Sequence, residues 1–321
     1  MPDLQRIATN GIHLNVALDG PEDGPLVLLV HGFPESWYSW RHQLPVLASA
    51  GYRVAAPDVR GYGDSDAPHD VSAYAMAEMT ADFAGLAEAL SGEPAVIIGH
   101  DWGAPMAWAS ALFHPERFRA VAGLSVPYTA PSKVPPMALY KKMFTDRGRF
   151  FYINYFQEEG VAEAELDADP ATVIRKFYGA ISGGQGRTDW PTDKPVDAKF
   201  LDGVPEPEMP MPWLTHEDVA IYEAQFKTSG FRGPLNRYRH FDSDYEILLA
   251  RGDYTIHQPA LFIAGDEDPV VSMVPGDPEP RMRDVLPDLR GIHILPGIGH
   301  WTQQEAPDQV NALLLDWLKE L

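Results

Sequence analysis

At 321 residues, 45% of them apolar, the chain is long enough for one large domain or one domain with a sizeable insertion, and too hydrophobic to be disordered. A formal net charge of −21 argues against nucleic acid and anionic membrane as partners, since phosphate binding rests on Lys and Arg. Without cysteine there are no disulfides, thiolate nucleophiles or cysteine-bound metals, and with no export signal and no run of roughly 20 apolar residues a cytoplasmic protein is expected.

Short runs rich in Val, Ile and Leu alternate with helical patterns, as buried parallel strands and their crossover helices do. Leu26 to Val30, Val54 to Ala56, Ala95 to Ile98 and Ala120 to Leu124 are the strand candidates of the first part. Met76, Met79, Phe83, Leu86 and Leu90 share one helical face, and Gly92 follows as a stop. After Pro127 the pattern changes: Pro131, Pro135 and Pro136 interrupt it, and a long aromatic and acidic stretch follows without strand-like alternation. Residues 130–242 are read as an inserted, mainly helical cap, with a Pro, Gly and Asp-rich loop from Gly183 to Pro212 between its helices. Alternation resumes with Ala260 to Ala264 and Ile292 to Leu295. The last helix has an apolar face of Val310, Leu313, Leu314, Trp317 and Leu318. Residues 1–129 and 243–321 together then form an α/β core, a mostly parallel sheet with helices on both faces.

The most specific local signal is Gly99-His100-Asp101-Trp102-Gly103, which follows a strand and opens a helix with small residues on either side of the central position. This is the spacing of a nucleophile elbow, with Asp where many hydrolases place Ser; the plainer alternative for Asp101 is a helix N-cap. A carboxylate attacking a carbonyl would give a reactive anhydride, whereas attack on saturated carbon gives a stable alkyl ester, so the substrate should carry a leaving group on sp³ carbon. Water must then attack the carboxyl carbon of Asp101, and the oxyanion formed there needs N–H donors. Trp102 N–H and, from His31-Gly32-Phe33-Pro34 after the first strand, Phe33 N–H are the candidates. His31 and His100 flank these motifs and are read as structural rather than as proton carriers.

The base and its orienting acid should follow in chain order. Asp268, in Ala264-Gly265-Asp266-Glu267-Asp268, lies past a strand end with the reach to turn toward the site, and Asp266 is its rival, read as a turn residue. His300, in Gly297-Ile298-Gly299-His300-Trp301, stands third in the order. With Asp268 accepting from one ring nitrogen, the other can take a proton from water.

His31-Gly32-Phe33-Pro34-Glu35-Ser36-Trp37, Gly61-Tyr62-Gly63-Asp64-Ser65 and the elbow together resemble the soluble epoxide hydrolases, over nearly the whole chain. The resemblance implies a cap that contributes two tyrosines binding the epoxide oxygen. The segment from Phe151 to Glu158 points to Tyr152, with Tyr155 its rival as a packing residue, and the segment from Gly230 to Arg239 points to Tyr238. It also implies a single-domain bacterial or plant form, a detoxifying hydrolase with no cofactor or metal, and a small apolar epoxide and water as partners; a homodimer is the assembly allowed for. Phe33, Trp37, Trp102, Phe156 and Met273 are the expected apolar lining. A haloalkane dehalogenase shares nucleophile and base, but the tyrosine motifs favour an oxygen leaving group. A non-catalytic receptor on the same fold would have no need of the full reactive set.

Overall fold

The computed structural model describes residues 2–184, 187–273 and 276–321. Among these, eight strands form one sheet: β1 (Asp3–Thr9), β2 (Ile12–Asp19), β3 (Leu26–Val30), β4 (Arg53–Pro57), β5 (Ala95–His100), β6 (Phe118–Leu124), β7 (Ala260–Gly265) and β8 (Leu289–Leu295). Their spatial order is β1-β2-β4-β3-β5-β6-β7-β8. The β1–β2 and β2–β4 pairs are antiparallel and every other neighbouring pair is parallel.

Helices α1 (Leu44–Ser49), α2 (Met76–Leu90) and α3 (Gly103–Phe113) connect the early strands. Between β6 and β7 stand α4 (Pro136–Met143), α5 (Tyr152–Tyr155), α6 (Val161–Leu166), α7 (Pro170–Ala180), α8 (His216–Ser229), α9 (Arg232–Tyr238) and α10 (Phe241–Arg251). After β7 come α11 (Pro269–Met273) and α12 (Glu279–Arg283), and after β8 α13 (Thr302–Glu305) and α14 (Pro307–Leu318). No described helix is long and apolar enough to cross a membrane.

The strand sequences follow from burial on both faces. Successive side chains of β3 point to opposite sides. Leu26, Leu28 and Val30 join Met79, Phe83 and Leu86 of α2 and Ala104, Ala107 and Trp108 of α3 in one apolar layer. Val27 and Leu29 face the other way, into a layer with Leu44 and Leu47 of α1 and Val310, Leu314, Trp317 and Leu318 of α14. An apolar run without alternation is therefore what this strand requires.

The segment inserted between β6 and β7 carries its own buried aromatics, Phe156, Tyr178, Phe200, Tyr222 and Phe231, continuous with the first layer. Helix α10 runs unbroken across position 242, where the insertion was expected to end. The Gly183 to Pro212 segment has no helix or strand among its described residues; positions 185 and 186 within it lie outside them. Its later part is anchored, since Ala198, Phe200 and Val204 are buried and the Lys194 ammonium donates to the Phe200 carbonyl at 2.6 Å.

Candidate active site

The parallel strands converge their carboxyl ends on one place, the usual position for chemistry in an open α/β sheet. Gly32 and Phe33 follow β3, Asp101 follows β5, Ser125 follows β6, Asp268 follows β7 and His300 follows β8. Asp101 sits in a turn tight enough to force a φ of 50°, the left-handed region that L residues seldom adopt. The turn survives because its flanks lack side chains. A Cβ on Gly99 would collide with the Gly103 carbonyl, and one on Gly103 with the Val30 carbonyl of β3.

The Asp101 side chain, 16% exposed, is held from two directions. Phe33 N–H donates to Oδ1 at 2.7 Å, and His300 Nε2 lies 3.4 Å from Oδ2. Gly32 makes this approach possible, since a Cβ there would run into the Asp101 side chain. Trp102 N–H, expected as a second donor, makes no bond to the carboxylate among the described residues. It belongs to the N-cap residue of α3, and a donor for an oxyanion has to match the tetrahedral intermediate, not the resting carboxylate.

Behind His300, Asp268 Oδ1 is 3.1 Å from Nδ1. Asp268 is fully buried, and its Oδ1 also accepts from Val270 N–H at 2.8 Å. Ser125, which the sequence reading did not single out, donates from Oγ to Asp268 Oδ2 at 2.6 Å and lies 3.0 Å from His300 Nδ1. Burial works against a charged His300, but the Asp268 and Asp101 carboxylates outweigh it and hold the imidazole well above its ordinary range. Burial likewise works to raise the Asp268 carboxyl, and His300, Ser125 and Val270 N–H together bring it below the usual value. The rival acid, Asp266, is instead an exposed turn residue that accepts from Gly297 N–H at 2.7 Å.

A second buried network supports the loops. Glu35 Oε2 is 2.8 Å from His100 Nδ1 and accepts from Gly32 N–H at 2.7 Å, while Oε1 accepts from the Gln303 and Gln304 amides at 3.0 and 3.2 Å. His100 Nε2 faces the His300 carbonyl at 2.7 Å. Both ring nitrogens therefore face oxygen atoms, which ties the elbow to Glu35 on one side and to the His300 backbone on the other. Burial pushes the Glu35 carboxyl up, but His100 overrides this and holds it down to about 2. His31 accepts from Val59 N–H at Nε2, at 3.0 Å, and donates from Nδ1 to the Gly32 carbonyl at 2.9 Å. Burial lowers it to about 4, so at neutral pH the ring is uncharged. Both histidines fix loop shape, and neither faces the Asp101 carboxylate as His300 does.

Above the carboxylate, the inserted helices deliver an aromatic wall. The rings of Tyr152 and Tyr238 are 6.0 Å apart at 81°, and Tyr238 stands edge-on to Phe33 at 5.3 Å, Trp102 at 5.1 Å and Phe156 at 5.0 Å. Burial, reinforced by the nearby Asp101 charge, raises both phenols far above their usual range, so they remain protonated donors. Tyr155 is engaged elsewhere, donating to Glu165 Oε2 at 2.7 Å. Two expected lining residues are not brought here. Trp37 packs onto the opposite apolar layer, with its ring against Tyr38 at 5.6 Å, because its backbone N–H is fixed by Asp58 at 3.0 Å. Met273 is 42% exposed at the end of α11, where Val271 is the residue that packs against the core.

Residues 25–174 match the family model described as the alpha/beta hydrolase fold. Over 321 residues the sequence is 42% identical to epoxide hydrolase A of Mycobacterium tuberculosis, covering 100% of this chain and 98% of that protein. The chain belongs to the epoxide hydrolases. The crystal structure of epoxide hydrolase A from Mycobacterium thermoresistibile superposes with a TM-score of 0.92 at 43% identity, covering 99% of this chain and 98% of that one. An epoxide hydrolase from an endophytic Streptomyces gives a TM-score of 0.91, also at 43% identity, over 99% of this chain and 95% of the other. The relationship spans the sheet and the inserted helices of this epoxide hydrolase alike.

Proposed function

We propose that the protein hydrolyses small apolar epoxides to vicinal diols in two covalent steps, beneath a lid formed by residues 130–242. One observation carries the reading: a single carboxylate, Asp101, has one oxygen in an N–H cradle at 2.7 Å from Phe33 and the other 3.4 Å from His300, under two protonated phenols. Cytoplasmic residence belongs to the same reading and is supported by the absence of cysteine.

In the first step Asp101 Oδ2 attacks an oxirane carbon, and the C–O bond breaks with its electron pair on oxygen. Tyr152 or Tyr238 gives that oxygen a proton. In the resting site His300 is an imidazolium paired with the Asp101 carboxylate. Esterification removes the Asp101 charge, so the imidazole loses part of what held its proton and can return one to the tyrosinate. The neutral ring, oriented by Asp268 and Ser125, then takes a proton from water as the water oxygen attacks the Asp101 carboxyl carbon. The oxyanion forms in the Phe33 N–H cradle, with Trp102 N–H as a second donor to it. Collapse breaks the bond between the carboxyl carbon and the alkyl oxygen, which takes the proton from the His300 imidazolium; the diol leaves, and the new Asp101 carboxyl passes its proton to the ring, restoring carboxylate and imidazolium. One diol oxygen comes from Asp101, and water replaces it.

A single turnover in heavy-oxygen water tests this. The first diol should be unlabelled and Asp101 should gain the label; label in the first diol would mean that water opens the ring directly. His300→Gln should still form the ester and stall there, and normal steady-state turnover by that variant would end the assignment.

A further inference from the structure

The loop that presents His300 is bonded directly to α7 and the residues that follow it. His300 N–H donates to the carbonyl of Ile181, just past α7, at 2.9 Å. Trp301 Nε1 donates to the Tyr178 carbonyl of α7 at 3.0 Å, and the two rings stack with centroids 3.9 Å apart. Between them sits Glu305, at the end of α13. Its Oε2 accepts from Gly299 N–H at 2.9 Å on the histidine side and from Gly183 N–H at 2.9 Å on the lid side, while Oε1 accepts from Trp301 N–H at 3.0 Å. Gly183 and Gly299 press backbone to backbone, and a Cβ on either would collide with the other's amide. A half-buried carboxylate that gathers three amides from two segments flanking one catalytic ring has no role in either chemical step described above.

The geometry assigns Glu305 as a positioning residue that locks the lid segment 181–183 to the histidine loop, so that His300 is aimed only when the lid is seated. The assignment rests on the proposed two-step reading and deepens it: Glu305 should act on the step in which His300 activates water and not on the step in which Asp101 attacks. Nucleophilic attack depends on the elbow, the Phe33 loop and the tyrosines, and none of these bonds to Glu305. Water activation depends on the placement of one imidazole nitrogen, and a small displacement of a base forfeits part of the 10²–10⁴-fold that a well-placed one contributes.

Glu305→Gln keeps the shape but turns an N–H-bearing amide toward amide donors, which loosens the clamp. Ester hydrolysis should slow about tenfold while ester formation is unchanged. When only the second step slows, kcat and KM fall together and kcat/KM stays constant; a variant that merely loses folded protein lowers kcat and kcat/KM with KM unchanged. Rapid acid quenching followed by mass measurement of the Asp101 peptide should find a larger steady-state fraction of alkylated enzyme in Glu305→Gln than in the wild type. Gly183→Ala strains the same clamp from the lid side while leaving the Glu305 side chain itself unchanged, and it should give the same signature should Glu305→Gln fold poorly. Wild-type rates of ester hydrolysis in both variants would overturn the role of Glu305 and leave the two-step reading standing. Absence of any alkylated Asp101 in the wild-type protein would overturn both.

Discussion

Tyr152 and Tyr155 are three residues apart on one short helix, yet their hydroxyls have different fates. Tyr155 is tied to Glu165, whose other contacts, accepted from Phe200 and Leu201 N–H at 2.9 Å each, pin the long lid loop. Tyr155→Phe should therefore cost about 1–3 kcal/mol of stability with little change in ring opening. Tyr152→Phe combined with Tyr238→Phe should do the reverse, slowing ester formation about 10²-fold or more while the melting temperature holds. Single-turnover rates beside thermal unfolding of the three variants separate the two roles. An equal loss of ring opening on changing Tyr155 would break the assignment. In the sequence this distinction rests on motif resemblance, because nothing local says which hydroxyl meets a carboxylate. Ser125 was illegible for a similar reason. Its φ of 71° and its place between Asp268 and His300 arise where β6 ends, and Leu124-Ser125-Val126-Pro127 carries no pattern that demands either.

Elements were legible in proportion to how completely their environment dictated their residues. The interior strands β3, β5, β6 and β7 are apolar on both faces and stood out as unbroken runs. β1 and β2 did not: β1 is an edge strand with Leu4 50% exposed, so burial imposes little pattern on it. A usable signal was present nonetheless in Asn10-Gly11, whose φ values of 42° and 77° are those of a two-residue hairpin turn, before the alternation Ile12, Leu14, Val16. The elbow was readable as an element because its geometry constrains composition at several positions at once. Gly103→Ala tests how much of the fold leans on that constraint. Its methyl would meet the Val30 carbonyl, so α3 must lift from β3, at a cost at or above the roughly 1–3 kcal/mol of ordinary overpacking. Since Asp101 rides on the same turn, urea unfolding and ester formation should deteriorate together, and a variant with wild-type values for both would show that the turn has slack.

At the scale of the whole molecule, buried ionisable groups on the loops around the site set how folding responds to acid. His31 falls from 6.5 in the unfolded chain to about 4, so between those values the unfolded state binds more protons and acid destabilises. Asp58, fully buried beneath Asn15 and Trp37 N–H, moves the other way, from 3.8 to about 6; there the folded state binds more protons and acid stabilises. Each shift corresponds to about 3 kcal/mol, so across pH 6.5 to 4 the two largely offset. Glu35 has no such counterweight. Its carboxyl is depressed from 4.5 to about 2, so the stability it lends is complete above 4.5 and drains away as the pH falls toward 2. His300, raised by its carboxylate partners, contributes below pH 6.5 and is lost as the pH climbs through its folded value. The expected wild-type profile is thus a plateau from about pH 6.5 to 4 with a steep fall below. His31→Gln removes one side of the balance. Relative to wild type it should gain about 3 kcal/mol between pH 7 and pH 4 in urea unfolding, because the proton uptake by unfolded His31 that opposes Asp58 is gone. A difference between the two proteins that does not change over that range would mean that His31 is not held neutral by the fold.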